Sequence, residues 1–324
     1  MAYGTDRAHY TVGWIAPMAL ELTAGIAVAD KLENSIWDRK DGTLNVPGDD
    51  TIYTLGRIGD HYVAMAVCPR IGTHSAATVA ADMRRSFPNI KHILVVGIAG
   101  GVPRYGVNLV EQIVLGDVVV SVPQYSEGGV THIESGAWEG KDKLNVSGHM
   151  LHPSQALLGA VINLRSRHMQ KPGTRIPQFL RELRERLEEH ELPEFKDPGP
   201  ENDHLYDDDY LHLYGDGLCE GLCDEKRSKL RNERGAKAWR KEDTPFIHYG
   251  TIGSSNALVI SGAKRNELYE KHRAICFEME SAGVMNDVQC LVIRGICDYA
   301  DSHKNKKWQK YAAATAAACA KEIL

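Results

Sequence analysis

The stretch YVAMAVCPRIGTHSAATVAADMRRSFPNIKHILVVGIAG, residues 62–100, decides the fold. Two apolar runs, 62–68 and 92–100, bracket a segment with helical spacing, THSAATVAADMRRSF. A strand, a helix and a second strand in that order imply a mostly parallel, buried layer. The alternation extends both ways. Upstream, YTVGWIA (10–16) passes into PMALELTAGIAVADKL, which has helical spacing and a proline near its start. Downstream, GDVVVSVP (116–123), FIHYGTIG (246–253) and CLVIRGICD (290–298) read as strands, and helical patterns fit 154–169, 260–273, 280–289 and 308–322. No repeat of fixed period interrupts them, so the architecture is α/β.

The chain has 324 residues, 43% of them hydrophobic and 25% charged, the balance of an ordinary globular protein with ample material for a core. A net charge of −5 comes from 38 basic and 43 acidic residues spread without a basic stripe, which disfavours nucleic acid as a partner and leaves a small charged substrate open. The first residues lack the continuous apolar core of a signal peptide, and no uncharged run reaches the length of a membrane span. The expectation is a cytoplasmic protein with no membrane partner. Among seven cysteines, Cys276, Cys290 and Cys297 lie in apolar runs and read as reduced thiols used as small hydrophobes. Cys219 and Cys223 stand apart, but no His or Cys at zinc spacing accompanies them, so no metal is expected.

Residues 170–245 break the texture. TRIPQFLRELRERLEEHE is followed by the acidic ENDHLYDDDY and the basic KRSKLRNERGAKAWRK. Ile176, Phe179, Leu180, Leu183 and Leu187 keep one apolar face, which predicts a docked amphipathic helix. The rest reads as a solvated, mobile excursion within a single domain spanning 1–324, with a lid or partner surface as the sharper alternative.

Ligands of α/β proteins sit where strands end, so polar residues just beyond the apolar runs matter most. IAPMALE places Glu21 a turn beyond its strand, and VVGIAGG offers glycines at 97, 100 and 101 that let a backbone approach a ligand closely. GTIGSSNALV (250–259) runs from a strand into small polar residues. CFEMESAG (276–283) carries Glu278 and Glu280 in an apolar setting where a carboxylate needs a partner. Arg294 and Asp298 are four apart in LVIRGICDYAD and share a face if the strand stays regular. A buried Arg–carboxylate bridge would explain them singly. Several carboxylates and one arginine beside a glycine-rich turn describe a polar ligand site instead.

These residues carry a resemblance. EMES is similar to the Glu-Met-Glu ribose motif of the nucleoside phosphorylase/nucleosidase superfamily, VIRGICDYAD resembles its Arg-x-x-x-Asp segment, and APMALE resembles the nucleosidase start that ends in a catalytic glutamate. Within the superfamily the chain looks most like the methylthioadenosine/S-adenosylhomocysteine nucleosidases and a related domain common in fungal proteins. The resemblance covers nearly everything except 170–245 and implies a three-layer αβα fold with a mixed central sheet. It implies Glu280 on the ribose hydroxyls, Asp298 as the acid that protonates the purine, Glu21 as the base for the attacking water, and Arg294 holding that water or Glu21. Met18, Ala99, Gly100, Leu258, Val259, Met279 and Trp308 are the further substrate residues it implies. Glu278 reads as a structural residue, paired or exposed, on the other side from the ribose.

Departures from the pattern narrow the chemistry. Val95 and Ile98 stand where hexameric-type phosphorylases carry an arginine and a serine for phosphate, which argues against phosphate as acceptor. Ile98 also replaces a serine of the bacterial nucleosidases, and Leu258 stands where they stack an aromatic on adenine. His303, Lys304, Lys306 and Lys307, or Arg70 and His74 near a helix start, could meet a 5′-phosphate, although solvated surface is the plainer reading. The expectation is a cofactor-free, metal-free purine nucleosidase acting on adenosine or a relative, in a homo-oligomer, with dimer favoured because the resembling enzymes complete the 5′ pocket from a neighbouring subunit. A phosphorylase and a non-catalytic nucleotide-sensing module are the alternatives.

Overall fold

The computed structural model describes residues 7–33, 46–124, 128–139, 143–146, 151–170, 173–188, 195–212, 219, 221–304 and 306–324. Ten strands form the main sheet: β1 (Val12–Ala16), β2 (Lys31–Leu32), β3 (Tyr53–Ile58), β4 (His61–Val67), β5 (His92–Gly101), β6 (Val118–Ser121), β7 (Val130–His132), β8 (Ile247–Ser254), β9 (Ala274–Glu278) and β10 (Cys290–Asp298). The helices are α1 (Ala19–Val28), α2 (Thr73–Ser86), α3 (Gln155–Gln170), α4 (Ile176–Glu188), α5 (Gly262–His272), α6 (Ser281–Met285) and α7 (Gln309–Ile323).

The strand order is β9–β8–β6–β10–β5–β1–β4–β3–β2, with β7 beside β8. The unit read from residues 62–100 is present as β4, α2 and β5, with β1 inserted between the two strands and parallel to both. The layer is more mixed than that unit alone implies, because β10 runs antiparallel to β6 and β3 antiparallel to β4. At its C-terminal end β5 also pairs antiparallel with β9, Gly101 opposite Cys276 and Gly100 opposite Phe277, which closes β5, β10, β6, β8 and β9 into a ring.

Small residues decide how closely the helices approach. A Cβ at Gly13 would lie 2.4 Å from Met83 of α2, whereas the next residue, Trp14, meets Gly25 of α1. Successive strand residues face opposite ways, so α1 and α2 cover opposite faces of the sheet. On α7, the alanine-rich run 312–320 is fully buried, and a Cβ at Gly295 of β10 would fall 1.8 Å from the Ala312 carbonyl oxygen. That clearance lets α7 lie directly on β10 and β5, with α1 and α4 packed beside it.

The charged insertion departs from the expected solvated excursion. Helix α4 docks as its pattern predicts, burying Ile176, Phe179, Leu180, Leu183 and Leu187. Beyond it, Asp203, Arg231, Arg234 and the Arg240 side chain turn inward, while pairs such as Arg227 with Asp207 and Asp209 stay at the surface. Asp203, fully buried, meets Arg231 at 2.7 Å and Arg234 at 2.6 Å, and accepts from the Tyr299 hydroxyl. Arg240 reaches the buried Asp117 at 2.6 Å, and Asp117 also meets His248 at 2.9 Å. Charge runs usually mean solvent, but a carboxylate opposite a guanidinium can be buried when both are fully bonded.

Candidate active site

Glu21 is the third residue of α1 and is 2% exposed. Its Oε2 accepts from the Met18 N–H at 2.5 Å, half of a capping box, and its Oε1 accepts from the Ile98 N–H at 2.7 Å. One carboxylate therefore ties the start of α1 to the end of β5. Burial pushes its carboxyl up to about 8, outweighing the nearby Arg294 and the Ile98 N–H, which pull the other way. Gly97 makes the arrangement feasible, since a Cβ there would lie 2.4 Å from both Glu21 Oε1 and Arg294 Nη1.

Arg294 is completely buried on β10. Its Nη2 donates to Glu278 Oε2 and, at 3.4 Å, to Glu280 Oε2, while Nη1 donates to the Ile98 carbonyl at 3.4 Å. Its Nε has no partner among the described residues, which leaves a donor in the site. The opposite-side placement expected of Glu278 and Glu280 does not hold: two residues apart, they would share a face of an extended strand, and here β9 ends at Glu278 while Glu280 flanks the N-terminus of α6 at φ −123°, ψ −41°. Both carboxylates thus converge on Arg294. Glu278 is further tied by the Glu280 and Ser281 N–H groups and the Ser281 hydroxyl. Glu280 takes longer bonds, 3.2 Å from the Gly72 N–H at the start of α2 and 3.3 Å from the Met279 N–H. Burial raises the Glu280 carboxyl, against Arg294 and with help from Glu278. Gly283, whose Cβ would fall 1.9 Å from the Thr73 carbonyl oxygen, lets α6 and α2 close on this point.

Asp298 lies at the end of β10, where a register shift after Ile296 breaks the regular alternation assumed for Arg294 and Asp298. It pairs with Lys304 at 3.2 Å and accepts from the Ala300 N–H at 2.8 Å, so its cation is Lys304 and not Arg294. Gly100 opposes it, since a Cβ there would lie 2.6 Å from Asp298 Oδ1. The two glycines, three apart on β5, therefore clear space for the Glu21–Arg294 cluster and for Asp298.

The remaining expected residues divide. Met18 and Met279 are half-buried next to Glu21 and Glu280, and Ala99 and Gly100 line the end of β5. Val259 is half-buried and packs on the core, while Leu258 is exposed. Trp308 is fully buried, its Nε1–H donates to the Asn202 carbonyl, and the Arg231 guanidinium lies over its ring, so its described partners come from the insertion and from Tyr311 of α7. Arg70, His74 and Lys306 are exposed, as the plainer reading of each had it. Sequence reasoning missed Glu278 as the tightest partner of Arg294, the Gly72 N–H on Glu280, and Lys304 on Asp298. The signal for the first was an arginine inside an apolar run, which needs a buried carboxylate as partner.

Residues 18–324 match the phosphorylase superfamily, and the chain belongs to it. It is 39% identical over 317 residues to a nucleotide-binding leucine-rich repeat (NLR)-like protein of Hyaloscypha variabilis, a match covering 98% of this chain and 29% of that protein. The chain thus spans less than a third of that relative. The fold is shared with futalosine hydrolase of Helicobacter pylori (TM-score 0.57, 15% identity, 97% of each chain). It is equally shared with the 5′-methylthioadenosine/S-adenosylhomocysteine nucleosidase of the same organism (TM-score 0.57, 15% identity, 98% of each chain). Among the described residues, no helix is long and apolar enough to cross a membrane.

Proposed function

We propose that this chain is a purine nucleosidase, hydrolysing the N-glycosidic bond of adenosine or a related purine nucleoside or nucleotide to free base and ribose. The observation that carries the reading is Glu21, a buried carboxyl raised to about 8 and set beside Arg294 and Glu280 at the glycine-cleared end of β5. In its ionised form Glu21 takes a proton from water as the new C1′–O bond forms and the C1′–N9 bond breaks. Glu280 accepts from the ribose hydroxyls, and its charge favours the cationic sugar of the transition state. Asp298 gives a proton to N7 so that the base departs neutral, which requires Lys304 to swing off its carboxylate. Val95 and Ile98 offer no ligand for phosphate, which supports water as the acceptor.

A nucleotide-sensing role is the second reading, supported by the NLR-like relative. Incubation with a panel of purine nucleosides and nucleotides, with and without phosphate, followed by analysis of base and sugar, separates the readings. Free ribose without phosphate supports the nucleosidase. Ribose 1-phosphate indicates a phosphorylase, and binding without products indicates a sensor.

A further inference from the structure

Cys219 and Cys223, set aside in the sequence for want of partners, acquire two in the fold. His212 comes from the insertion, and His303 from the segment that follows β10. One donor atom from each of the four lies within 4.8 Å of all the others. His212 Nδ1 is 3.0 Å from Cys223 Sγ and 3.8 Å from Cys219 Sγ, and His303 Nδ1 is 3.5 Å and 3.6 Å from the same two sulfurs. A tetrahedral zinc ion with its usual Zn–S and Zn–N bonds holds sulfur and nitrogen about 3.6 Å apart. All four cross distances scatter around that value. We propose that His212, Cys219, Cys223 and His303 bind one zinc ion, a structural site outside the Glu21–Arg294 cluster.

The local backbone prepares the donors. The Leu222 and Cys223 N–H groups both donate to the Cys219 carbonyl, at 3.0 and 2.9 Å, a turn that brings the two cysteines together. His303 is oriented from behind: its Nε2 lies 3.0 Å from the Tyr210 carbonyl, which as an acceptor fixes the proton on Nε2 and leaves the Nδ1 lone pair facing the sulfurs. Metal-bound histidines are held in this way. Its ring stacks on Tyr206 and Tyr210, with centroids 3.9 and 5.0 Å away, and the Ser302 hydroxyl accepts from the His212 N–H at 2.8 Å. Binding releases two thiol protons, so two thiolates balance the dication and the site is neutral. Two thiolates with two imidazoles, all four positions filled by protein, suit zinc in a structural role and leave no place for a substrate.

The site joins elements far apart in sequence. Its first three ligands belong to the insertion, and its fourth is adjacent to Lys304, the partner of Asp298. An ion there clips the insertion to the segment that follows the catalytic strand.

The full chain, expressed in zinc-supplemented medium under reducing conditions, should carry about one zinc per chain by mass spectrometry. The double variant Cys219→Ser/Cys223→Ser should carry less than about a tenth as much. Cobalt(II) added to the reduced, metal-stripped wild-type chain should produce the intense visible bands of a tetrahedral thiolate site, with binding at least about 100-fold weaker in Cys223→Ser. Stripping zinc should lower the thermal midpoint, and re-adding it should restore it. The zinc content and cobalt spectrum of the unmutated chain decide the matter even if the variants fail to fold. Metal-free protein with no cobalt bands, a Cys219–Cys223 disulfide in the chain as purified in place of bound metal, or stoichiometric iron or copper instead would each overturn the assignment. None of these measurements depends on nucleosidase activity.

Discussion

Glu278 and Glu280 are both buried and both bonded to Arg294, yet they should behave differently when neutralised. Glu278 spends its oxygens on the guanidinium, the Ser281 hydroxyl and two backbone N–H groups, whereas Glu280 has longer bonds and capacity to accept from a ligand. Glu278→Gln strips the tightest partner from a fully buried arginine and should destabilise by about 3–5 kcal/mol in urea unfolding. Glu280→Gln should leave the unfolding midpoint nearly unchanged while slowing adenosine hydrolysis at least about 100-fold. Equal losses of stability in both variants would put Glu280 in the scaffold. For Glu21, the carboxyl at about 8 means that the base form grows only as pH rises through that value, so hydrolysis should climb toward pH 8 and level off above it. The sign for stability is opposite. Because the folded state holds this proton to higher pH than the unfolded chain, stability falls as pH rises from the ordinary carboxyl range through about 8. Glu21→Gln should flatten that decline, as read by denaturant titration at about pH 6 and about pH 9.

At the scale of elements, the insertion is held to the sheet by ion pairs that composition alone cannot reveal. Replacing residues 192–243 with a short Gly/Ser linker looks harmless from the sequence, since loop closure costs little. In the fold the same deletion removes Arg240 from Asp117 and Arg231 from Trp308. Asp117 would then be left buried with His248 as its side-chain partner. The deleted chain should therefore lose cooperative unfolding, and Arg240→Ala alone should cost about 3–5 kcal/mol. Although burial alone would raise it, His248 and Arg240 hold the Asp117 carboxyl well below the ordinary range. Its contribution is thus present at neutral pH and lost as pH falls through the acid range below the usual carboxylate value. A soluble deletion variant that unfolds cooperatively near the wild-type midpoint would show that these pairs are dispensable.

The acceptor and the assembly belong to the scale of the whole molecule. With adenosine, release of adenine should proceed in phosphate-free buffer, should not accelerate with millimolar phosphate, and should leave ribose as the sugar product. On the proposed function, the ionised form of Glu21 that accepts the proton from water would repel a phosphate desolvated beside it. Strict phosphate dependence would sink this assignment. Light scattering at micromolar concentration should report a dimer; a fully active monomer would show that no neighbouring subunit completes the site.

Local pattern was enough for much of this protein. The strand–helix–strand unit at 62–100, the α4 stripe and the strand at 290–298 follow from side-chain periodicity, which depends only on neighbours along the chain. The polar residues at strand ends, Glu21, Glu280, Arg294 and Asp298, were legible for the same reason: a charge inside an apolar run demands a partner wherever it folds. Which partner it finds is not local. Glu278 on Arg294, Arg240 on Asp117, and His212 and His303 beside Cys219 and Cys223 all join residues set near one another by the packing of separate elements. Clearance is decided in the same way, since Gly97, Gly283 and Gly295 show their purpose only when the atom that a Cβ would strike is known. Sequence determined where charge must be answered, and tertiary structure decided by what, because the cost of burying an unpaired charge is a property of residue type whereas pairing is a property of distance.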